Sequence, residues 1–268
     1  MKKKLLIVLI IILILILAFS AWKLGSILLD YAKGEQVYAE IEELVSIPET
    51  TTRPTVPKNT EPLETQPEET VPEETEPEAP PFPEVDFEAL WKKNKDVVGW
   101  IYIPDTKVNY PVLQGYDNNQ YLRHMIDGKY NTAGSIFLEA GVPCDFSSQN
   151  NPIYGHRMKN GTMFADIAKY KTQKYYEAHP VGYLVTPDAN YVLHIFSGYA
   201  TDAYGDAWDT SFSEAGFNKW LKSVSKKSCF TTDVVPTTED RILTFSTCTY
   251  ELEDGRFVVH AVMEAYAP

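Results

Sequence analysis

The sequence predicts a mainly β fold, a barrel decorated by a few peripheral helices, on three observations. Short runs rich in Val, Ile, Tyr and Phe recur between turn residues from about position 97 onward. Helical periodicity is rare there, and strands do not alternate with helices as a parallel βαβ sheet requires. Hydrophobic residues make up 44% of the chain and aromatic ones 13%, which excludes a wholly disordered chain and supplies a core.

The elements follow in order. Asp86 caps a short helix running to Asn94, with Phe87, Leu90 and Trp91 on one face. Strands are expected at 99–103, 110–112, 134–138, 152–154, 182–186, 191–199, 242–248 and 256–263. A short helix is expected near 162–170. Between Ser213 and Lys227, Phe217, Trp220, Leu221 and Val224 follow the i, i+3, i+4, i+7 rule of an amphipathic helix.

Ahead of this folded part lie two segments of different character. Leu5 to Trp22 is 18 residues without a charge, about 27 Å of helix at 1.5 Å per residue and enough to cross a hydrocarbon core. Lys2, Lys3 and Lys4 precede it, which orients the N-terminus to the cytoplasm and the rest outside. A cleaved signal peptide is the alternative, with Ala18-Phe19-Ser20 as its small-residue site, although the apolar run exceeds the usual length. Residues 1–34 are therefore assigned as membrane anchor and juxtamembrane segment.

Residues 35–85 are assigned as an extracellular stalk. The formal net charge of the 268-residue chain is −13, and residues 35–88 carry sixteen acids against only Arg53 and Lys58. Ten of the eighteen prolines lie between Pro48 and Pro83, with Pro57, Pro62, Pro67, Pro72 and Pro77 spaced by five. So many prolines and so little apolar surface preclude a helix or a ladder, and predict an extended linker of up to roughly 110 Å. The acidity argues against a nucleic-acid partner. Residues 86–268 are the expected catalytic domain.

Three cysteines, Cys144, Cys229 and Cys248, fall in the exported part, too far apart in sequence for a Cys-x-x-Cys metal or redox pair. Their odd number leaves a thiol over, and whether Cys144 and Cys229 pair is open. Cys248 ends the run Ile242-Leu-Thr-Phe-Ser-Thr-Cys248. On a strand Ile242, Thr244, Ser246 and Cys248 share one face, and Leu243, Phe245 and Thr247 the other. A cysteine is most often a small core hydrophobe, but this one stands at a strand end among hydroxyls. If Asp254-Gly255 turns the chain, Arg256 begins the returning strand beside it, where a cation favours the thiolate and can hold an oxyanion. A surface salt bridge is the commoner fate of an arginine. Of five histidines, His194 and His260 sit inside strand patterns and suit packing. His156, in Tyr154-Gly155-His156, follows a strand into a glycine-hinged loop and suits acid–base work. Cys, His and Arg together describe acyl transfer by a thiol nucleophile.

These segments resemble the sortases, cysteine transpeptidases of Gram-positive surfaces: Tyr154-Gly155-His156, the Thr-Phe-Ser-Thr-Cys run ending at Cys248, and Arg256. Val97-Val98-Gly99-Trp100-Ile101, Tyr110 through Gly115, Asn118 through Leu122 and Gly134-Ser135-Ile136-Phe137 are similar to class B in particular, over about 180 residues. One departure is Phe245 where the family usually has Leu; strand alternation turns it away from the thiol.

The resemblance implies an eight-stranded sortase barrel with an N-terminal helix and a helix between the His and Cys motifs. It implies a thioacyl intermediate on Cys248, formed by cleavage of a C-terminal sorting signal after Thr, with His156 as acid and base and Arg256 at the oxyanion. Asn118, Leu122, Tyr154 and Ser246 match positions lining the substrate groove. The implied partners are surface proteins with an Asn-Pro-x-Thr-Asn-like or Pro-x-Thr-Gly-like signal, and a peptidoglycan precursor (lipid II) or wall amine. No metal or other cofactor is implied. A hydrolase of the same signal and a catalytically silent stalked binding module are the alternatives. The pair Ser223 and Lys226 matches a penicillin-binding pattern, but falls on the amphipathic helix without companion motifs.

Overall fold

The computed structural model describes residues 2–48, 82–249 and 254–266. Helix α1 runs unbroken from Lys2 to Glu42. An 18-residue window within it reaches a mean hydropathy of 3.3 with none of it buried, long and apolar enough to cross a membrane by length and composition. The sequence beyond Trp22 carries no proline until Pro48, so nothing stops the helix at the end of the apolar run. The junction expected at residues 34 and 35 thus lies inside one helix, and residues 35–46 are helix and strand packed on the barrel. Strand β1 (Val45–Ser46) pairs antiparallel with β2 (Glu84–Val85). The remainder of the expected stalk, 49–81, lies outside the described residues.

Helix α2 (Phe87–Lys93) begins where Asp86 accepts from the Ala89 N–H at 2.9 Å. Eight strands then close a barrel: β3 (Val97–Tyr102), β4 (Asn109–Leu113), β5 (Ile136–Leu138), β6 (Asn150–Tyr154), β7 (Val181–Val185), β8 (Asn190–Thr201), β9 (Arg241–Cys248) and β10 (Arg256–Tyr266). Their order around the wall is β10-β8-β7-β3-β4-β5-β6-β9. Closure removes free sheet edges. The β4–β5 and β6–β9 pairs are parallel and the others antiparallel. All eight strands coincide with the expected ones to within a few residues.

Period-two alternation sorts the side chains. Ile101, Ile153, Leu184, Leu193, Ile195, Leu243, Phe245, Phe257 and Val259 are fully buried in the main core. Ile242 and Val258, on the opposite faces of β9 and β10, pack outside the wall. There they meet helix α4 (Glu214–Lys227), whose buried Phe217, Trp220, Leu221 and Val224 are the stripe read from the sequence. Burying each such side chain contributes about 1.5–3 kcal/mol.

The helix expected near 162–170 is different. Met163 has φ +57° and its N–H donates to the Tyr110 hydroxyl at 2.9 Å, so a helix cannot pass through it. Instead a 3-10 turn spans Ile167–Lys171, and α3 (Gln173–Ala178) follows, capped by Thr172.

Candidate active site

The site is built by two strand pairings that meet at β9. In the antiparallel pairing with β10, Cys248 lies directly opposite Arg256, a Cα separation of about 4.5–5.5 Å. In the parallel pairing with β6, Ser246 stands beside Tyr154. The pairing continues past the strand: Gly155 N–H donates to the Ser246 carbonyl at 3.1 Å, and the Thr247 hydroxyl to the Gly155 carbonyl at 2.8 Å. His156 follows at once in the loop that leaves β6, where its carbonyl accepts from the Phe164 N–H at 2.9 Å, next to the end of β9 that carries Cys248. Alternation puts Tyr154, Ser246 and Cys248 on the outward face of the wall while Ile153 and Phe245 fill the interior.

Gly155 must be glycine here. A Cβ on it would lie 2.4 Å from Ile136 Cδ1 and 2.7 Å from the Phe164 ring. That close packing lets the chain swing out of β6 and present His156, which is half-buried. Its Nε2 lies 2.7 Å from the Leu122 carbonyl oxygen. Burial lowers its pKa from the usual 6.5, the Leu122 bond partly offsets this, and the positive charges of Arg123 and Arg256 lower it further. His156 is thus a neutral imidazole at neutral pH, equipped to accept a proton. Arg256 Nη1 donates to the carbonyls of Asp254 and Gly255 at 3.0 and 3.1 Å. Those bonds fix the guanidinium at the turn and leave donors over from its total of five.

Ser246 is 3% exposed and its Oγ accepts from Trp208 Nε1 at 3.0 Å. Asn118 and Tyr154 converge on Glu139, which had no signal in the sequence. Asn118 Nδ2 donates to its Oε1 at 2.6 Å and the Tyr154 hydroxyl to its Oε2 at 2.7 Å. Burial and the Glu139 charge raise the Tyr154 pKa, so the phenol stays protonated and donating. Leu122 offers its carbonyl to His156 and a side chain on the surface (the residue is 37% exposed). The result is a continuous strip from Cys248, Ser246 and Trp208 across Tyr154 to Glu139 and Asn118.

The other histidines and cysteines fall elsewhere. His260 is fully buried and His194 Nε2 bonds Glu264 Oε2 at 2.5 Å. Cys144 and Cys229 are both exposed and no disulfide links them. A cavity of about 470 Å³ lies between α1 and the barrel, lined by Tyr38, Glu42, Tyr102, Lys107 and Tyr110 among others, away from Cys248. Among the described residues no group of three or more His, Cys, Asp and Glu side chains is placed to hold a metal ion.

A family model described as the sortase domain matches residues 101–264. Sortase B of Listeria monocytogenes is 40% identical over 177 residues, covering 65% of this chain and 72% of that protein. Among solved structures, a Staphylococcus aureus sortase B–substrate complex is 35% identical with a TM-score of 0.65, covering 68% of this chain and 85% of that one. A sortase B complexed with triglycine matches with the same identity and TM-score, over 68% and 86% of the two chains. With the barrel, the Cys248–Arg256 register and these likenesses in hand, the chain belongs to the sortase family, class B, and is a sortase transpeptidase.

Proposed function

We propose that this transpeptidase cuts a C-terminal sorting signal after its Thr and joins the surface protein to a peptidoglycan amine through a thioacyl intermediate on Cys248. His156 takes the thiol proton as the sulfur attacks the Thr carbonyl, and Arg256 holds the developing oxyanion. His156 then gives its proton to the departing amine, and the C–N bond breaks. In the second half an incoming amine attacks the thioester, His156 relieves it of a proton, and the thiol returns. The observation that supports this reading is Arg256 opposite Cys248 in the β9–β10 pairing, with His156 in the loop that leaves β6 beside the same end of β9.

Asn118, Leu122, Tyr154 and Ser246 are proposed to line the groove for the signal, an Asn-Pro-x-Thr-Asn-like or Pro-x-Thr-Gly-like sequence. Their place on or beside one outward strip next to the thiol supports that role. The triglycine in a related structure is a peptide amine, which supports an amine acceptor such as lipid II or a wall cross-bridge. The apolar part of α1 supports a retained single-pass anchor with the barrel outside the cell.

The test uses the full chain in detergent with a panel of quenched peptides carrying these signals and an added amine, followed by mass spectrometry. Cleavage after Thr with an amine-linked product, lost in Cys248→Ala, is expected. Free acid alone at every amine concentration would make the protein a hydrolase. No cleavage of any peptide, with the barrel intact, would favour a binding module.

A further inference from the structure

Helix α1 passes from its apolar part to the barrel wall without interruption. It reaches the wall at Asp30. The Asp30 carbonyl accepts from Asn131 Nδ2 at 2.7 Å, and its carboxylate from the Thr132 N–H at 3.1 Å and the Thr132 hydroxyl. Further along, Glu35 accepts from Asn160 at 2.7 Å and the Tyr38 hydroxyl donates to the Gly134 carbonyl at 2.6 Å. Past the helix, Ser46 pairs with Glu84 and the Asp86 N–H donates to the Leu44 carbonyl at 3.1 Å. Residues 30–46 are thus held to the folded domain at both ends.

Two consequences are geometric. From Trp22 to Asp30 is eight residues, about 12 Å of helix rise. That is about one and a half to two headgroup layers, each on the order of 5–8 Å thick, so the clasp stands within a few ångströms of the bilayer surface. Because Ser46 pairs with Glu84, the chain between them starts and ends at one place. However long residues 49–81 are, they add nothing to the distance between α1 and the barrel.

We propose that the barrel is seated directly on the bilayer through the surface beside the Asp30–Thr132 clasp, formed by Arg123, Tyr130 and Thr132, with lipid headgroups as its partner. The Pro/Thr/Glu segment is then an excursion from a closed base, not a spacer. This rests on the reading of α1 as a retained span. Arg123 lies at the level of the clasp, since its carbonyl accepts from the Asn131 N–H at 2.9 Å. Tyr130 is 66% exposed, and Lys33 lies three residues beyond Asp30 on α1. An amphipathic tyrosine ring suits the interface, and the cations suit anionic lipid. Leu122, next to Arg123, takes the His156 hydrogen bond. The seat therefore puts one rim of the site beside lipid.

The test places the full chain, with Cys144→Ser, Cys229→Ser and Cys248→Ala, in nanodiscs of phosphatidylcholine and phosphatidylglycerol with a headgroup spin-labelled lipid. A dye is attached at Tyr130→Cys or, as the distal control, at Glu84→Cys, whose partner Ser46 lies beyond the far end of α1. Quenching at 130 is expected to exceed that at 84 at least threefold. It is expected to stay so when 49–81 are replaced by a four-residue Gly/Asn turn, and to fall at 130 in Asp30→Ala while the chain stays membrane-bound. Equal, weak quenching at both sites, or quenching that changes when 49–81 are removed, would overturn the seat while an intact N-terminus by mass spectrometry leaves the span standing. A chain cut near Ala18-Phe19-Ser20 and released from the bilayer would overturn the span and the seat together.

Discussion

His156 Nε2 lies 2.7 Å from the Leu122 carbonyl oxygen, and a carbonyl can only accept. Nε2 therefore carries the hydrogen, and Nδ1 is the ring nitrogen left over, the one that the proposed proton exchange with the thiol or the reacting amine would use. The position of that carbonyl depends on Gly134, which has φ +58°. A Cβ there would lie 2.6 Å from the carbonyl oxygens of both Leu122 and Tyr121.

Gly134→Ala should thus damage catalysis at a distance. Forcing a side chain into left-handed backbone against two carbonyls costs about 1–3 kcal/mol, and the relief available is movement of Leu122 away from His156. Steady-state peptide cleavage should show kcat down by roughly 10- to 100-fold with KM changed less, since a misplacement on the order of 1 Å can cost about 100-fold. An unaltered kcat in a folded variant would mean that the Leu122 contact does not set the working geometry.

Arg123→Gln should move the acid limb of the activity profile. A positive charge near an imidazole disfavours its protonated form, so Arg123 helps to lower the His156 pKa. Removing it lets His156 hold its proton to higher pH, and the acid limb of kcat/KM moves up. The alkaline limb should not follow. A pH–rate profile of both proteins, or the His156 ring signals by NMR, reads the shift; movement to lower pH would reverse the sign argued here.

The strand face carrying Ser246 and Cys248 was legible because a period of two needs only local sequence. Arg256 was legible because Asp254-Gly255 turns the chain, and Asp254 indeed has φ +50°. The extension of α1 was not. Its docking is decided by Asp30 and Thr132, 102 residues apart, and no residue between Trp22 and Glu42 announces a partner. Glu139 was equally hidden, since only the pairing of β5 with β6 carries it to Tyr154. The helix expected near 162–170 failed at Met163, where a tertiary bond to Tyr110 overrides local preference.

Trp208→Phe should separate binding from chemistry. It keeps an aromatic ring over the strip but removes the donor to Ser246 Oγ. Losing one such bond costs about 0.5–1.5 kcal/mol, so KM for a signal peptide should rise roughly two- to tenfold. The kcat should stay close to that of the parent, because the Trp208 indole spends its one N–H on Ser246 and has none to offer His156 or the reacting atoms. A fall in kcat without a rise in KM would place Trp208 in the reaction itself.

His260 shows how the wall beneath this strip is held, and it yields a stability prediction. Asn150 Nδ2 donates to the carbonyls of Ala207 and Asp209 at 3.2 and 2.9 Å, which leaves its Oδ1 to accept from the Thr244 hydroxyl at 2.6 Å. Thr244 has spent its one hydrogen, so His260 Nδ1 must donate to it across 2.8 Å, and His260 Nε2 accepts from the Tyr199 hydroxyl at 3.3 Å. The network works only with a neutral ring. Burial, with the Lys227 charge as a smaller contributor, lowers the His260 pKa from 6.5 to about 3. Between those values the unfolded chain binds a proton that the folded one refuses. Unfolding free energy therefore falls as pH drops from about 6.5, by at most about 1.4 kcal/mol per unit, from this residue. His260→Gln should be less stable at pH 7, by about 1–3 kcal/mol for a disturbed buried network, yet lose less on acidification. Urea unfolding of both proteins in detergent from pH 7.5 to 4.5 tests this: the curves should converge as pH falls. Parallel curves would show that His260 is not the neutral keystone of the network.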